Sequence, residues 1–68
     1  MKLYGIFDKN NNNKLLRYSQ VLQGSMIYEK YDPETKTKHL VEEFCLADIE
    51  YSEENIGKSY NISTNSFE

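Results

Sequence analysis

The chain has 68 residues, a net charge of −3, one cysteine and one histidine. A chain of this length makes one small domain, which buries only about 60% of the surface that its unfolded form exposes. The single cysteine excludes a disulfide within the monomer, and one cysteine with one histidine is too small a ligand set for a four-coordinate zinc site, so we expect a dimer or a partner chain to supplement the core.

The apolar runs of the chain are short. None has the length of a secretory signal, and none approaches the ~20 residues that cross a bilayer. A lone cysteine is typical of a reducing compartment. We therefore expect a cytoplasmic protein with no membrane partner.

Residues 2–19 predict a β-hairpin. Residues 2–7 are apolar or aromatic on both faces, a pattern typical of a central strand. Residues 8–13 (Asp-Lys-Asn-Asn-Asn-Asn) predict a loop, because asparagine tolerates left-handed backbone and hydrogen-bonds its own turn. Residues 14–19 return as the second strand.

Residues 26–46 allow two interpretations. Residues 26–31 predict a strand, and Pro33 then favours a turn. Residues 37–46 show a helical stripe of apolar side chains as well as a weaker two-residue alternation. Because the helix would begin with threonines and with nothing to bury, we favour a strand over residues 37–46, extendable to residue 51, that pairs with residues 26–31.

The C-terminal part of the chain predicts little regular structure. Residues 52–57 suggest a capped helical turn closed by Gly57, and residues 58–62 suggest a short strand. We predict one domain over residues 1–62, followed by a polar C-terminal tail, residues 63–68, that frays. The predicted fold class is mainly β or α+β, with an antiparallel sheet of four to five strands and at most one short helix.

Three local patterns resemble ligand sites but are incomplete. Residues 8–13 place oxygen atoms at alternate positions of a calcium loop, but the glycine and the bidentate glutamate that complete such a loop are absent. Residues 57–59 (Gly-Lys-Ser) copy only the end of a phosphate-binding loop. His39 and Glu43 are spaced for one helix face but lack a third ligand. We therefore predict no catalytic residue, no metal site, no cofactor and no enzymatic activity.

Charge is unevenly distributed along the chain. Residues 1–38 hold seven bases and four acids, a net charge of +3, whereas residues 39–68 hold one base and seven acids, a net charge of −6. Residues 41–55 alone hold six acids and no lysine or arginine. Such a run is usually a solvated face, or it pairs with the basic half across the sheet. The alternative is a surface that meets a positively charged partner.

We therefore predict a small acidic protein–protein interaction module, an inhibitor or regulator that docks on a basic, nucleic-acid-binding surface of a larger protein. Aromatic side chains would anchor the contact, and acids would steer the encounter. The candidate partner-binding residues are Glu42, Glu43, Phe44, Asp48, Glu50, Tyr51, Glu53 and Glu54.

Two other functions fit the composition. The basic half interleaves bases with aromatic residues (Lys14, Arg17, Tyr18, Lys30 and Tyr31), which suits single-stranded nucleic acid. The pI of about 5.1 makes direct nucleic-acid binding the weaker prediction. The six tyrosines, each a large ring with a polar tip, also suit a homodimer or a structural subunit that self-associates through a strand edge.

Overall fold

The computed structural model describes residues 1–68 and consists of antiparallel β-strands. The strands are β1 (Lys2–Asp8), β2 (Lys14–Ser19), β3 (Met26–Asp32), β4 (Thr37–Glu50), β5 (Tyr60–Asn61) and β6 (Ser66–Phe67). The first four form one sheet in the order β2-β1-β4-β3, and β5 pairs with β6. The helical segments are two 3₁₀ turns, Lys9–Asn11 and Glu53–Asn55, and neither could cross a bilayer. The predicted small antiparallel fold is confirmed.

The first hairpin forms where its loop chemistry indicates. Asp8 ends β1 and its side chain accepts the main-chain N–H of Asn10 at 3.0 Å, which starts the 3₁₀ turn. Asn12 and Asn13 then adopt left-handed backbone, with φ of 54° and 56°. Asparagine tolerates this region better than most residues, so the run of asparagines turns the chain into β2. The oxygen-rich loop is thus a hairpin connection.

Strand β4 resolves the ambiguity between helix and strand. Its first half pairs with β3 in unbroken register from Thr37 to Glu43, and its second half pairs with β1 up to Glu50. These two sets of neighbours supply ladder hydrogen bonds along the whole segment, which outweighs the local helical stripe. A bulge interrupts the pairing with β1 near Asp48, whose φ is 60°. The alternation of side chains between faces therefore shifts at that point.

The hydrophobic core lies on one face of the sheet, beneath the β5–β6 ribbon. Phe7 and Leu15 are completely buried and pack with Ile49 and Tyr60. Gly5 lies under the Phe7 ring, since a Cβ there would approach two ring carbons to 2.8 Å. The core needs a residue without a side chain at this point because the aromatic ring occupies the space.

Residues 63–68 belong to the fold, so the predicted frayed tail is wrong. Ser66–Phe67 pairs with β5, and the main-chain N–H of Glu68 donates to the Ser59 carbonyl at 2.9 Å. The Phe67 ring lies 4.8 Å from the Tyr60 ring, centroid to centroid, and packs against the core. Burial of one aromatic residue in a polar segment offsets the cost of ordering it, a gain that the composition of the segment does not reveal.

The two edges of the four-stranded sheet differ. Along the outer edge of β2, the N–H of Leu15 donates to the Lys58 carbonyl at 2.9 Å, and the N–H of Gly57 donates to the Leu15 carbonyl at 2.8 Å. Residues 57–60 therefore cover the start of this edge, at Lys14 and Leu15. The opposite edge, formed by β3, receives no hydrogen bond from any other part of the chain than β4.

Candidate interaction surfaces

The structure separates the eight predicted partner-binding residues into three groups. Glu43 points to the face of the sheet that also carries Ile6 and Val41, because residues two apart on a strand share a face. Glu42 and Phe44 lie on the other face. The remaining five (Asp48, Glu50, Tyr51, Glu53 and Glu54) lie at or beyond the end of β4. They do not form one continuous surface.

Glu43 is buried and bonded within the chain. Its two carboxylate oxygens accept hydrogen bonds from the Arg17 guanidinium at 2.8 and 3.0 Å, and Tyr28 donates a short hydrogen bond to the same carboxylate. The Arg17 hydrogen bonds, aided by Tyr28, hold the pKa of Glu43 below its usual value in spite of desolvation. Here an acid of the second half neutralises a base of the first half. This carboxylate is therefore not available to a partner.

The acids at the end of β4 and beyond it are exposed, and two of them, Glu50 and Glu53, are bonded locally. The N-terminal ammonium lies 2.7 Å from a Glu50 carboxylate oxygen, and this contact lowers the pKa of Glu50. Tyr51 donates to Glu53 at 3.1 Å, which raises the pKa of the phenol, and its ring packs 4.9 Å from the Tyr18 ring. Exposed pairs of this kind contribute little energy. We call Asp48, Glu50, Glu53 and Glu54, at this end of the molecule, the acidic rim; it is a solvated surface.

The β3–β4 hairpin exposes large apolar side chains on one face. Ile27, Tyr31 and Leu40 are 63%, 55% and 52% exposed, respectively. The cross-strand pairs Ile27–Glu42 and Glu29–Leu40 place apolar and acidic side chains alternately on this face. We call Ile27, Glu29, Tyr31, Leu40, Glu42 and Phe44 the hairpin face.

A pocket of about 530 Å³ continues this face toward the core. Ile27 and Phe44 line it together with Leu46 and Ile62, and Glu42 and Lys9 add charged groups. The core beneath the β5–β6 ribbon contains Phe7, Leu15 and Ile49, and the pocket lies beside it, where Phe44 and Leu46 are only partly buried. Of the predicted partner-binding residues, Glu42, Glu43 and Phe44 line this pocket, and the Glu43 carboxylate among them is held by Arg17.

Sequence reasoning missed Ile27 and Leu40 as partner-binding candidates, and it named Tyr31 only for nucleic-acid binding or self-association. A signal was present, since β3 carries apolar residues on both faces although it proves to be an edge strand with little core beneath it. Only the strand order shows that these residues lack cover. Their exposure could not be predicted from the alternation alone.

The basic residues proposed for nucleic-acid binding come together only in part. Lys14, Lys30 and Tyr31 line a shallow depression, but Asp32 and Glu34 line it too and balance the two lysines. Arg17 is bound to Glu43. Its phosphate-binding capacity is therefore occupied.

The incomplete ligand patterns also take structural roles. His39 lies in a strand opposite Lys30, and the carboxylate of Glu43, predicted to share a helix face with it, is held by Arg17. No family model matches the chain, and no curated protein or solved structure matches it.

Proposed function

We propose that the protein is a small non-enzymatic docking module that binds another protein through the hairpin face. The observation that carries the proposal is the exposure of Ile27, Tyr31 and Leu40 on one side of a hairpin, next to an apolar pocket. Small monomeric domains rarely leave contiguous apolar surface uncovered unless it meets a partner. The pocket offers a place for an anchoring side chain.

The charges of the hairpin face indicate the chemistry of the partner. Glu29 and Glu42 lie beside the exposed apolar side chains, and each is directly opposite an apolar residue on the neighbouring strand. A complementary surface therefore presents apolar anchors interspersed with lysine or arginine. This is the basic partner expected from the sequence, met by a different part of the molecule.

The acidic rim after β4 supports the same partner from a distance. Asp48, Glu53 and Glu54 are exposed and the whole chain has a net charge of −3. Such a field raises the rate of encounter with a basic protein and is screened by salt, while the affinity resides in the desolvated contacts. We propose that the acidic rim speeds the encounter with the basic partner and that the hairpin face forms the contact with it.

The test replaces the apolar anchors without disturbing the strands. In the double variant Ile27→Thr/Leu40→Thr both positions carry an exposed, β-branched side chain that suits a strand, so the fold is retained. Its matched control is Val21→Thr/Leu22→Thr, which removes two apolar side chains that are at least as exposed on average (61% and 70%) from the connection between β2 and β3.

Both variants and the parent are used to capture proteins from lysate of the host cell, with quantitative mass spectrometry as the readout. We expect a partner that the parent and the control retain and the hairpin-face variant loses. Charge reversal in Glu29→Lys/Glu42→Lys should slow association with that partner, most of all at low salt. Equal retention by all variants would contradict the proposal.

A further inference from the structure

The outer edge of β3 presents main-chain groups without partners. Two hydrogen bonds show which residues carry them. The main-chain N–H of Glu42 donates to the Asp8 side chain at 3.2 Å, and the main-chain carbonyl of Leu40 accepts a hydrogen bond from the side-chain amide of Asn10 at 3.4 Å. Both groups of β4 therefore point away from β3.

In an antiparallel ladder the directly opposed residues alternate between bonded and non-bonded pairs. Glu42 opposes Ile27 and Leu40 opposes Glu29, so these are non-bonded pairs. The N–H and C=O groups of Ile27 and Glu29, and of Tyr31 by the same alternation, accordingly point outward. The side chains of the same three residues lie on the hairpin face.

This edge is neither covered nor interrupted. It has no proline and no bulge over Met26–Asp32, and its pairing with β4 runs in unbroken register. Natural proteins commonly cover, kink or shorten an edge strand to prevent pairing with other chains. On the opposite edge of this sheet residues 57–60 cover the start of β2, at Lys14 and Leu15, whereas no segment of the chain covers any part of the β3 edge.

We propose that the partner is recognised as an extended segment that adds to β3 as a fifth antiparallel strand. The inference rests on the proposed function and names the form in which the partner binds. Main-chain hydrogen bonds to Ile27, Glu29 and Tyr31 hold the segment, and every second side chain of the segment lies over the hairpin face.

A second copy of the chain fits this edge poorly. Two copies that pair antiparallel through β3 are related by a two-fold axis normal to the sheet. This axis keeps each side chain on its own face of the sheet, so one residue of β3 must lie opposite the same residue of the other copy. The register that pairs all seven residues of β3 places Glu29 against Glu29, and a shift by one residue toward the turn places Lys30 against Lys30. A shift by one residue the other way places Tyr28 against Tyr28 without like charges, but it pairs fewer residues of β3. Like charges directly opposite each other destabilise a strand pair. A segment of another protein avoids this repulsion.

The same geometry specifies the segment. A lysine or arginine lies opposite Glu29, and apolar residues two positions to either side lie opposite Ile27 and Tyr31. On the other face an acidic residue lies opposite Lys30. The class of partner is an extended peptide in which a central base alternates with apolar residues.

The first experiment uses a synthetic probe. A blocked peptide of seven residues, the length of β3, carries arginine at its centre, isoleucine two positions to either side and threonine elsewhere. Binding is followed by the amide shifts of the labelled protein. We expect saturable shifts centred on β3, and no binding by the same peptide with N-methyl groups on the amides that face β3. Equal binding of the N-methylated peptide would overturn strand addition.

The second experiment changes the protein and uses the same peptide. Glu29→Pro removes an outward N–H while leaving the β3–β4 ladder intact, and Glu29→Thr removes the same charge but keeps the N–H. We expect the proline variant to bind at least about tenfold more weakly than the threonine variant, the size of a lost main-chain hydrogen bond with added steric conflict. Equal affinities would overturn the inference.

The partner captured with the parent protein separates this inference from the proposed function. If Glu29→Pro retains the partner as Glu29→Thr does while Ile27→Thr/Leu40→Thr loses it, the hairpin face binds but not by strand addition. If Ile27→Thr/Leu40→Thr retains it, the proposed function itself fails. A mass that rises to a dimer with concentration in light scattering, and falls back in Glu29→Pro, would assign the edge to a second copy and overturn the inference.

Discussion

Replacement of Arg17 by leucine should destabilise the protein, because it leaves the buried carboxylate of Glu43 without its charged partner. The variant keeps the aliphatic bulk of the side chain but removes both hydrogen bonds to Glu43. The Glu43 side chain is only 6% exposed, so its carboxylate cannot recover these bonds from water. Tyr28 remains as the one donor that the structure provides to that carboxylate.

The magnitude follows from the unequal burial of the pair. Hydrogen bonds to charged groups contribute about 1.5–3 kcal/mol, whereas exposed ion pairs contribute about 1 kcal/mol or less. Arg17 is 52% exposed and Glu43 is buried, which places the loss between these limits, at about 2 kcal/mol at neutral pH. For a domain of this size that corresponds to a fall in Tm of roughly 10 °C.

The stability lost in Arg17→Leu should depend on pH in a defined direction. The Arg17 hydrogen bonds lower the pKa of Glu43 in the folded state. The stability that they provide is therefore complete above the unfolded pKa of about 4.3 and is lost as the pH falls through the lower folded pKa. The difference in unfolding free energy between parent and Arg17→Leu should be largest near neutrality and should shrink in acid.

Urea denaturation of both proteins near neutral pH and near pH 3 measures this difference. The control is Glu43→Gln, alone and combined with Arg17→Leu, because glutamine keeps the shape of the side chain without its charge. We expect the double variant to lose less stability than the sum of the single variants, as coupled partners do. A cost of Arg17→Leu that is the same at both pH values would refute the reasoning.

Two further substitutions test the packing. Gly5→Ala should lower the free energy of unfolding by about 1–3 kcal/mol through overpacking, because the new methyl group would lie 2.8 Å from buried ring carbons of Phe7. Gly24→Ala is the control: it has no atom within 4 Å of the new methyl group and should leave the thermal melt unchanged. Phe67→Ala should lower the free energy of unfolding by about 1–3 kcal/mol, less than the loss of a fully buried phenylalanine. It should also remove the hydrogen-exchange protection of the main-chain amide of Glu68, which is bonded to Ser59. Unchanged protection would mean that the C-terminal ribbon does not depend on this ring.

The first hairpin could be predicted from sequence because its signals are local. The asparagine run needs only the conformational tolerance of its own residues to turn the chain, and Asp8 starts that turn with its own side chain. The two apolar segments on either side then meet without help from distant residues. The hairpin of β3 and β4 was also predicted, but residues 37–46 carried a competing helical stripe.

The fate of the acidic residues could not be predicted, because it depends on strand order. The alternation of side chains shows that Glu42 and Glu43 lie on opposite faces, but it does not show which face receives Arg17 and which remains open. That choice follows from β1 pairing with both β2 and β4, which brings Arg17 within reach of Glu43.

The sequence by itself determined the class of fold, the first loop and the uneven charge, all of which arise from neighbouring residues. The tertiary structure alone decided that Phe67 packs against the core, that residues 57–60 cover the start of β2 while β3 stays bare, and that the exposed apolar residues gather beside Glu29 and Glu42. These properties depend on contacts between segments far apart in the chain, and hydrophobic periodicity specifies which face a side chain takes without specifying what covers it.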